Sequence, residues 1–441
     1  MTSPTGMQAM MAYWERLHAI NAVQVAEVSA EITVADLQAA SDRLFRKFLA
    51  ASSGQWPSLS ERRADQNVGV TAQFHRLSPN DSNSLESLVT QLLNAPFADD
   101  EPPFRVGLVQ QMGMHFVWLS YRHSIADARS IAMLLQNLLE ELMWERDEDL
   151  PLGITHTTES LVDFFPEEAR RTNVLRSIGP AINTLWNLRR SHRRPPTDAT
   201  EFEMTFQIHA EHLPLASLRN RAKELQVTVG ELVISAMLDW FIQQDRDLPK
   251  HFLSPNRCIS VLADLVGRAT PKRNNLFGQF LAPLNISANS YRQQSFEGLV
   301  QHVRQSVLVL NSITQNLRTL NGLRINSFLV QQVSRAFANW YQEFLFPISG
   351  ALSSINLPAI LPPSRISLPV TNYFRGTCAT QFSPMILCLT TVKDTCTLTS
   401  SHRSSVYSDD EMRALSRHVM KRAFGLTADC DLANCCVHNA A

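Results

Sequence analysis

The sequence predicts an α/β protein organised as two domains, and three features of the chain lead to that expectation. First, 441 residues with 44% hydrophobic content are enough to bury two cores of ordinary size. Second, the chain from Met114 onward reads as strand, polar turn and helix. Phe116 to Tyr121 is an apolar and aromatic run of strand length, and Ile131, Leu134, Leu135, Leu138, Leu139 and Leu142 recur at helical spacing. Third, Pro166 to Thr200 interrupts the pattern with a basic stretch ending in two prolines, after which strand and helix periods restart at Phe202. The expected boundaries are 1–175 for the first domain, 176–200 for the linker and 201–441 for the second.

Taken in order, Ala22 to Glu31 is expected as a strand, and Thr33 to Asp36 as a capping box opening a helix with Leu37, Leu44, Phe45, Phe48 and Leu49. Val68 to Phe74 is a further strand and Ser84 to Leu93 a further helix. Pro103 to Val106 opens a strand that pairs with Phe116 to Tyr121 through a turn at Gln111 to Gly113. In the second half Phe202, Met204, Phe206 and Ile208 alternate as a half-buried strand, Leu215 to Leu225 is a helix, and Thr228 to Glu231 caps an apolar helix through Phe241. Cys258 to Leu262 is a strand and Asp264 to Arg268 the loop after it. Phe296, Leu299, Val303, Val307 and Leu310 mark a long helix, and Ile325, Leu329, Val333, Phe337 and Trp340 another. Five prolines between Pro347 and Pro369 argue against regular helix and for a long loop packed over the cleft between the domains. Met385 to Val392 and Cys396 to Ser400 read as a hairpin across Lys393 to Thr395. Ser408 to Glu411 caps a last helix that ends with Lys421, Arg422 and Gly425.

Composition excludes several functions. A net charge of −1 does not suit a nucleic-acid surface, and the arginines at 189 to 194 are too local to make one. No apolar run reaches the 18 or so residues of a membrane span, and Met1 to Trp14 lacks the character of a signal peptide, so a cytoplasmic protein is expected; a monomer is expected as well. Seven scattered cysteines do not make a disulfide framework; Cys430, Cys435, Cys436 and His438 are read as a frayed tail and no metal site is expected. Serine-hydrolase elbows, phosphate loops and dinucleotide fingerprints are absent from the sequence. Charged residues, at 18%, fall below the roughly 25% of ordinary soluble domains, which suits an apolar channel or a partner surface.

The chemistry concentrates between the central strand and helix. His123 stands at the end of a buried strand, held stiffly yet facing the open end of a sheet, where an imidazole can act as a general base. Asp127 follows four residues later at the helix start, where a carboxylate can cap free N–H groups.

The order Pro-x-Arg-Val strand, hairpin, second strand, His-x-x-x-Asp turn and leucine-rich helix resembles the condensation-domain branch of the chloramphenicol acetyltransferase-like acyltransferases. The signature of that family is HHxxxDG, with the second His catalytic. Here the positions read Arg122, His123, Ser124, Ile125, Ala126, Asp127 and Ala128, so the first His and the Gly are replaced. Other family motifs survive in part and in the family's order. Arg46 to Leu49 stands for a basic RHExLRT element, Leu161 to Phe165 for YxDFAxW, Gly278 to Asn285 for GxFVNTLPLR, and Gln315-Asn316 for the start of HQDxPFE.

The resemblance implies two similar lobes of mixed sheet and helices, joined as a V-shaped pseudo-dimer with a tunnel between them. It implies acyl transfer from a carrier-protein or coenzyme A thioester to an amine or alcohol, in chemistry of the nonribosomal-peptide kind. The donor arrives as a phosphopantetheine or coenzyme A thioester, and no bound cofactor is expected. His123 takes the catalytic role, Asp127 pairs with Arg268 to hold the turn, and the helix-start N–H groups near Ala128 face the oxyanion. Arg122 is a solvated or tunnel-lining cation, while Ser124, Gly278 and Phe280 belong to the substrate tunnel. Arg189, Arg190, Arg193 and Arg194 are candidates for docking an acidic carrier protein. Two rival readings stay open: a wax-ester or diacylglycerol type acyltransferase of the same superfamily, and a degenerate lobe pair that binds without catalysis.

Overall fold

The computed structural model describes residues 6–51, 70–77, 84–98, 100–111, 113–144, 151–156, 161–172, 191, 194–198, 202–245, 256–269, 275–289, 295–334, 337, 347–361, 363–364, 366, 368–380 and 383–425. These residues form two mixed sheets with helices packed on them. The strands are β1 (Asn21–Val28), β2 (Ala72–Leu77), β3 (Phe104–Gln111), β4 (Met114–Arg122), β5 (Met204–Pro214) and β6 (Asn256–Asp264), followed by β7 (Leu281–Asn289), β8 (Gly350–Asn356), β9 (Val370–Thr377), β10 (Met385–Val392) and β11 (Thr395–Arg403). A five-stranded sheet has the order β2-β3-β4-β1-β9, and a six-stranded sheet the order β5-β11-β10-β8-β6-β7. The first sheet is therefore not built from one contiguous half of the chain. Its last strand, β9, comes from beyond residue 201 and pairs antiparallel with β1.

The central hairpin forms as its sequence suggests. Phe104 to Gln111 pairs with Met114 to Tyr121, and Gly113, with φ of 80°, supplies the left-handed turn residue. Gly107 lies opposite Trp118, and a Cβ there would come within 2.2 Å of the indole, so only glycine lets that buried ring lie over the neighbouring backbone. The helix Ala128–Met143 is buried on nearly every side. Its apolar stripe of Ile131, Leu134, Leu135, Leu138 and Leu139 enters the first core, where truncating one such side chain costs about 2 to 5 kcal/mol. Its buried Glu141 is met by Lys47 at 2.8 Å and Arg43 at 3.2 Å from the helix Val34–Ala51. That helix opens with the expected box, Thr33 and Asp36 exchanging side-chain to backbone bonds. The Ser408 and Glu411 box does the same for Asp409–Val419.

Among the described residues, two of the joints between the sheets run through β9 and β5. Backbone carbonyls of β9 that β1 does not use accept from hydroxyls of β11: Thr397 to the carbonyl of Tyr373 and Thr399 to that of Arg375, both at 2.7 Å, while the Thr377 N–H donates to Ser401 Oγ. Residues 397, 399 and 401 share one face of β11 because side chains alternate along a strand. At the other joint the open edge of β5 is covered by the helix Leu85–Asn94. Glu86, Thr90 and Asn94, spaced four apart on one helix face, accept from the N–H groups of Ile208, Phe206 and Met204.

Several expected elements are corrected. The strand placed at Val68 to Phe74 begins later, at Ala72, and pairs parallel with β3. Asp264 to Arg268 is not all loop: Asp264 ends β6, and Val266–Ala269 forms a single helical turn. The helix read through Ile325 to Trp340 starts at Ile313, because Ser312 caps it, and its described part ends at Gln331; Trp340 lies outside the described residues. Pro347 to Pro369 is not one loop. Its proline-free centre, Gly350 to Asn356, is an interior strand of the larger sheet, pairing parallel with both β10 and β6. The prolines flank that strand and so leave its ladder intact.

Candidate functional site

His123 follows the end of β4. Its backbone N–H donates to the Ile20 carbonyl at 2.8 Å, and its own carbonyl accepts from Gln279 Nε2 at 3.1 Å, so the residue is fixed on both sides. The side chain is buried at 7% exposure and lies on the wall of a cavity of about 320 Å³. Burial holds its imidazole below the ordinary value of 6.5, and the nearby Arg375 guanidinium acts in the same direction. Nδ1 lies 3.2 Å from the Ala126 carbonyl, an acceptor only, so in the neutral ring Nδ1 carries the proton. Nε2 is then the basic nitrogen.

Asp127 is the helix N-cap. Its carboxylate accepts from the Ser130 N–H at 2.8 Å and from the Phe280 N–H at 3.1 Å, while its own N–H donates to the Gly278 carbonyl at 2.9 Å. Ser130 Oγ bonds both the N–H and the carbonyl of Gly278. The His123 turn is thus clamped onto the chain just before β7. Burial pushes the Asp127 carboxyl up to about 6, with the Asp264 carboxylate adding to the rise and the two N–H donors opposing it.

The expected Asp127–Arg268 pair does not form. Arg268 bonds Asn311 instead, through Nη1 to its carbonyl at 2.7 Å and Nη2 to its side-chain oxygen. The reason is local: both Asp127 oxygens are already taken by backbone donors, and Asn311 caps the end of Phe296–Leu310 with acceptors within reach of the turn that carries Arg268. Arg129 lies 3.7 Å from the Asp264 carboxylate.

The remaining predicted residues divide. Ala128 lies on the cavity wall and its carbonyl accepts from Gln24 Nε2 at 2.7 Å. Gly278, Phe280 and Ser124 are not among the residues that line this cavity. Gly278 and Phe280 hold Asp127, and Ser124 Oγ donates to Glu15 at 2.8 Å. Arg122 points outward, bonding the carbonyls of Phe97 and Ala98 beside Glu15, so the position of the family's first His does not face the cavity. Arg189, Arg190 and Arg193 lie outside the described residues. Arg194 pairs with Glu411 and lies over the Tyr407 ring.

The cavity lies between the two sheets. Ala22, Gln24 and Tyr121 line it from β1 and β4, with Arg375 and Thr377 beside them on β9, opposite alternate residues of β6, β7 and β10 and the run Ala351 to Ser353 of β8. Met7, Met11 and Trp14 of the first helix and Arg318, Asn326 and Leu329 of Ile313–Gln331 close it. Gln24, Arg318 and Arg375 were missed by sequence reasoning. Only Arg375 leaves a signal, a charge inside the apolar run Tyr373 to Thr377. Among the described residues no group of histidines, cysteines and carboxylates is arranged to hold a metal, and no single helix is long and apolar enough to cross a membrane.

No protein-family model and no curated relative matches the sequence. Solved structures do match in fold. The cyclization–docking bidomain of the nonribosomal peptide synthetase EpoB from Sorangium cellulosum aligns at TM-score 0.64 and 15% identity, over 95% of this chain and 84% of its own. The first condensation domain of the calcium-dependent antibiotic synthetase aligns at 0.64 and 15%, over 96% and 95%. The trichothecene 15-O-acetyltransferase of Fusarium sporotrichioides aligns at 0.65 and 10%, over 96% and 94%. At such identities the likeness shows the fold: two chloramphenicol acetyltransferase-like lobes, as in condensation domains.

Proposed function

We propose that the chain is a condensation-type acyltransferase that moves an acyl group from a thioester, on a carrier protein or on coenzyme A, to an amine or alcohol. The observation that carries the reading is a His123 held neutral by burial, with its proton on Nδ1 and Nε2 left as the basic nitrogen, in the wall of a cavity between the two sheets. The attacking amine or hydroxyl gives its proton to Nε2 as its nitrogen or oxygen bonds the thioester carbon. The oxyanion that forms is met by N–H groups at the start of the helix at Ala128, and its collapse expels the thiolate, which takes the proton back from the imidazolium. No covalent enzyme intermediate is needed. Replacement of the family's first His by Arg122 leaves the cavity's chemistry unchanged, because that side chain points away from it. The neighbours named above support this reading by fold and by what their own names say they do.

The test is product formation, followed by mass spectrometry, with acyl-carrier and acyl-coenzyme A donors against amine and alcohol panels. Turnover that falls roughly 100-fold or more in His123→Ala supports the assignment. Turnover that the variant leaves untouched refutes the role of His123, and no turnover with any thioester refutes the reading.

A further inference from the structure

The cavity's charges do not balance. Arg375, 3% exposed, lies on its wall, and its guanidinium donates to four neutral oxygens: Thr390 Oγ1, Ser353 Oγ, the Ser353 carbonyl and the Leu389 carbonyl. A guanidinium has five N–H donors, so one is left over, and no carboxylate among the described residues forms an ion pair with it. Arg318 lies on the same wall, with its Nε buried and without a hydrogen-bond partner among the described residues. Among those residues neither an aspartate nor a glutamate lines the cavity. Burying cations without a counter-charge is costly, and such a cost is met when an anion binds.

We propose that the small-molecule substrate of this cavity carries a carboxylate close to its reacting nitrogen or oxygen, and that Arg375 receives it. Placement favours this source over a donor phosphate. Arg375 lines the same cavity as His123 and lies opposite Gln24, whose amide bonds the Ala128 carbonyl at the helix start after the His123 turn, whereas the phosphates of coenzyme A or phosphopantetheine lie at the far end of the arm from the sulfur. An amino or hydroxy carboxylate could then place its nucleophile at His123 Nε2 and its anion at Arg375, with Arg318 adding to the positive potential. The inference rests on the acyltransferase reading only for which atom reacts; the anion site stands on its own charges.

The experiment titrates the full chain, without donor, with the standard α-amino acids, β-alanine and short dicarboxylates, each beside its amide, by calorimetry. At least one acid should bind roughly tenfold or more tightly than its amide, as a charge-assisted bond to a buried guanidinium requires. The ratio should approach one in Arg375→Gln and be partly restored in Arg375→Lys. Should both variants fail to fold, the acid-to-amide ratio of the unaltered chain decides by itself. Binding of amino acids supports the proposal, and tight binding confined to dicarboxylates overturns it in favour of an anion on the acyl donor. Equal binding of acid and amide overturns it, as does no saturable binding of any acid up to about 10 mM. Binding of coenzyme A alone, abolished by Arg375→Gln, overturns it in favour of a phosphate. His123→Ala should retain acid binding and lose transfer. Acid binding with no transfer in any donor panel therefore refutes the acyltransferase reading alone, and transfer without acid preference refutes the carboxylate site alone.

Discussion

Replacing Asp127 by Asn separates two accounts of the turn that holds His123. In the structure the carboxylate is buried among backbone N–H donors, with no arginine paired to it among the described residues, and its pKa is raised from 3.8 to about 6. A raised acid is neutral-favouring in the fold. Its contribution to stability is fully present below pH 3.8 and is lost as pH rises to about 6, a change of about 3 kcal/mol from two pKa units. The amide of the variant does not titrate. It keeps one oxygen for the Ser130 N–H but turns an NH2 toward the Phe280 N–H, a pH-independent cost of about 1 to 3 kcal/mol. Asp127→Asn should therefore gain about 3 kcal/mol on the unaltered protein between pH 3.8 and pH 7, whatever its standing at the acid end. Urea unfolding of both proteins across that range measures the difference, and other titrating groups cancel in it. An Asp127–Arg268 ion pair would lower the pKa and give the opposite slope. A difference that is flat with pH, or that favours the unaltered protein as pH rises, would refute the clamp described here. Arg268→Met should leave the slope unchanged, because Arg268 bonds Asn311.

Which features were legible depends on how locally each is determined. The strand, turn and helix around His123 were readable because a buried strand and a four-turn apolar helix leave their period in contiguous residues. Capping boxes at Thr33, Thr228 and Ser408 were readable for the same reason: donor and acceptor are three residues apart. The partner of Asp127 was not, since it is the Phe280 N–H, more than 150 residues away and without a side-chain signature. The interior strand Gly350 to Asn356 was hidden by flanking prolines, whose effect reaches only their own backbone positions. The transfer of β9 into the first sheet is a matter of topology, and it is this crossing that brings Arg375 beside Gln24 and into the cavity. Expected site residues were drawn from the motif itself, whereas the cavity wall is built from strands of both sheets and from helices far from the motif in sequence. Gln24 and Arg375 reach it from β1 and β9 and Arg318 from the helix Ile313–Gln331, at positions that no motif marks.

Three further outcomes follow from the geometry. The pH profile of kcat/KM should rise along a limb centred below 6.5 and be flat above it, because burial lowers the His123 pKa and the neutral ring is the active form; a limb centred above 6.5 contradicts this. Gly107→Ala should destabilise by about 1 to 3 kcal/mol in urea unfolding, since its Cβ would press within 2.2 Å of a Trp118 ring that is itself fully buried. The last concerns the joint between the lobes. Thr399→Val keeps the side chain's shape and removes the donor to the Arg375 carbonyl, a bond of 2.7 Å made by a residue 1% exposed. The orphaned carbonyl should cost about 1 to 3 kcal/mol. A purely structural hydroxyl would do no more. Because this bond fixes the backbone from which the guanidinium projects, the variant should also weaken acid binding while leaving amide binding near its original value. Equal loss for both ligands would show that the hydroxyl holds the lobes together without positioning Arg375.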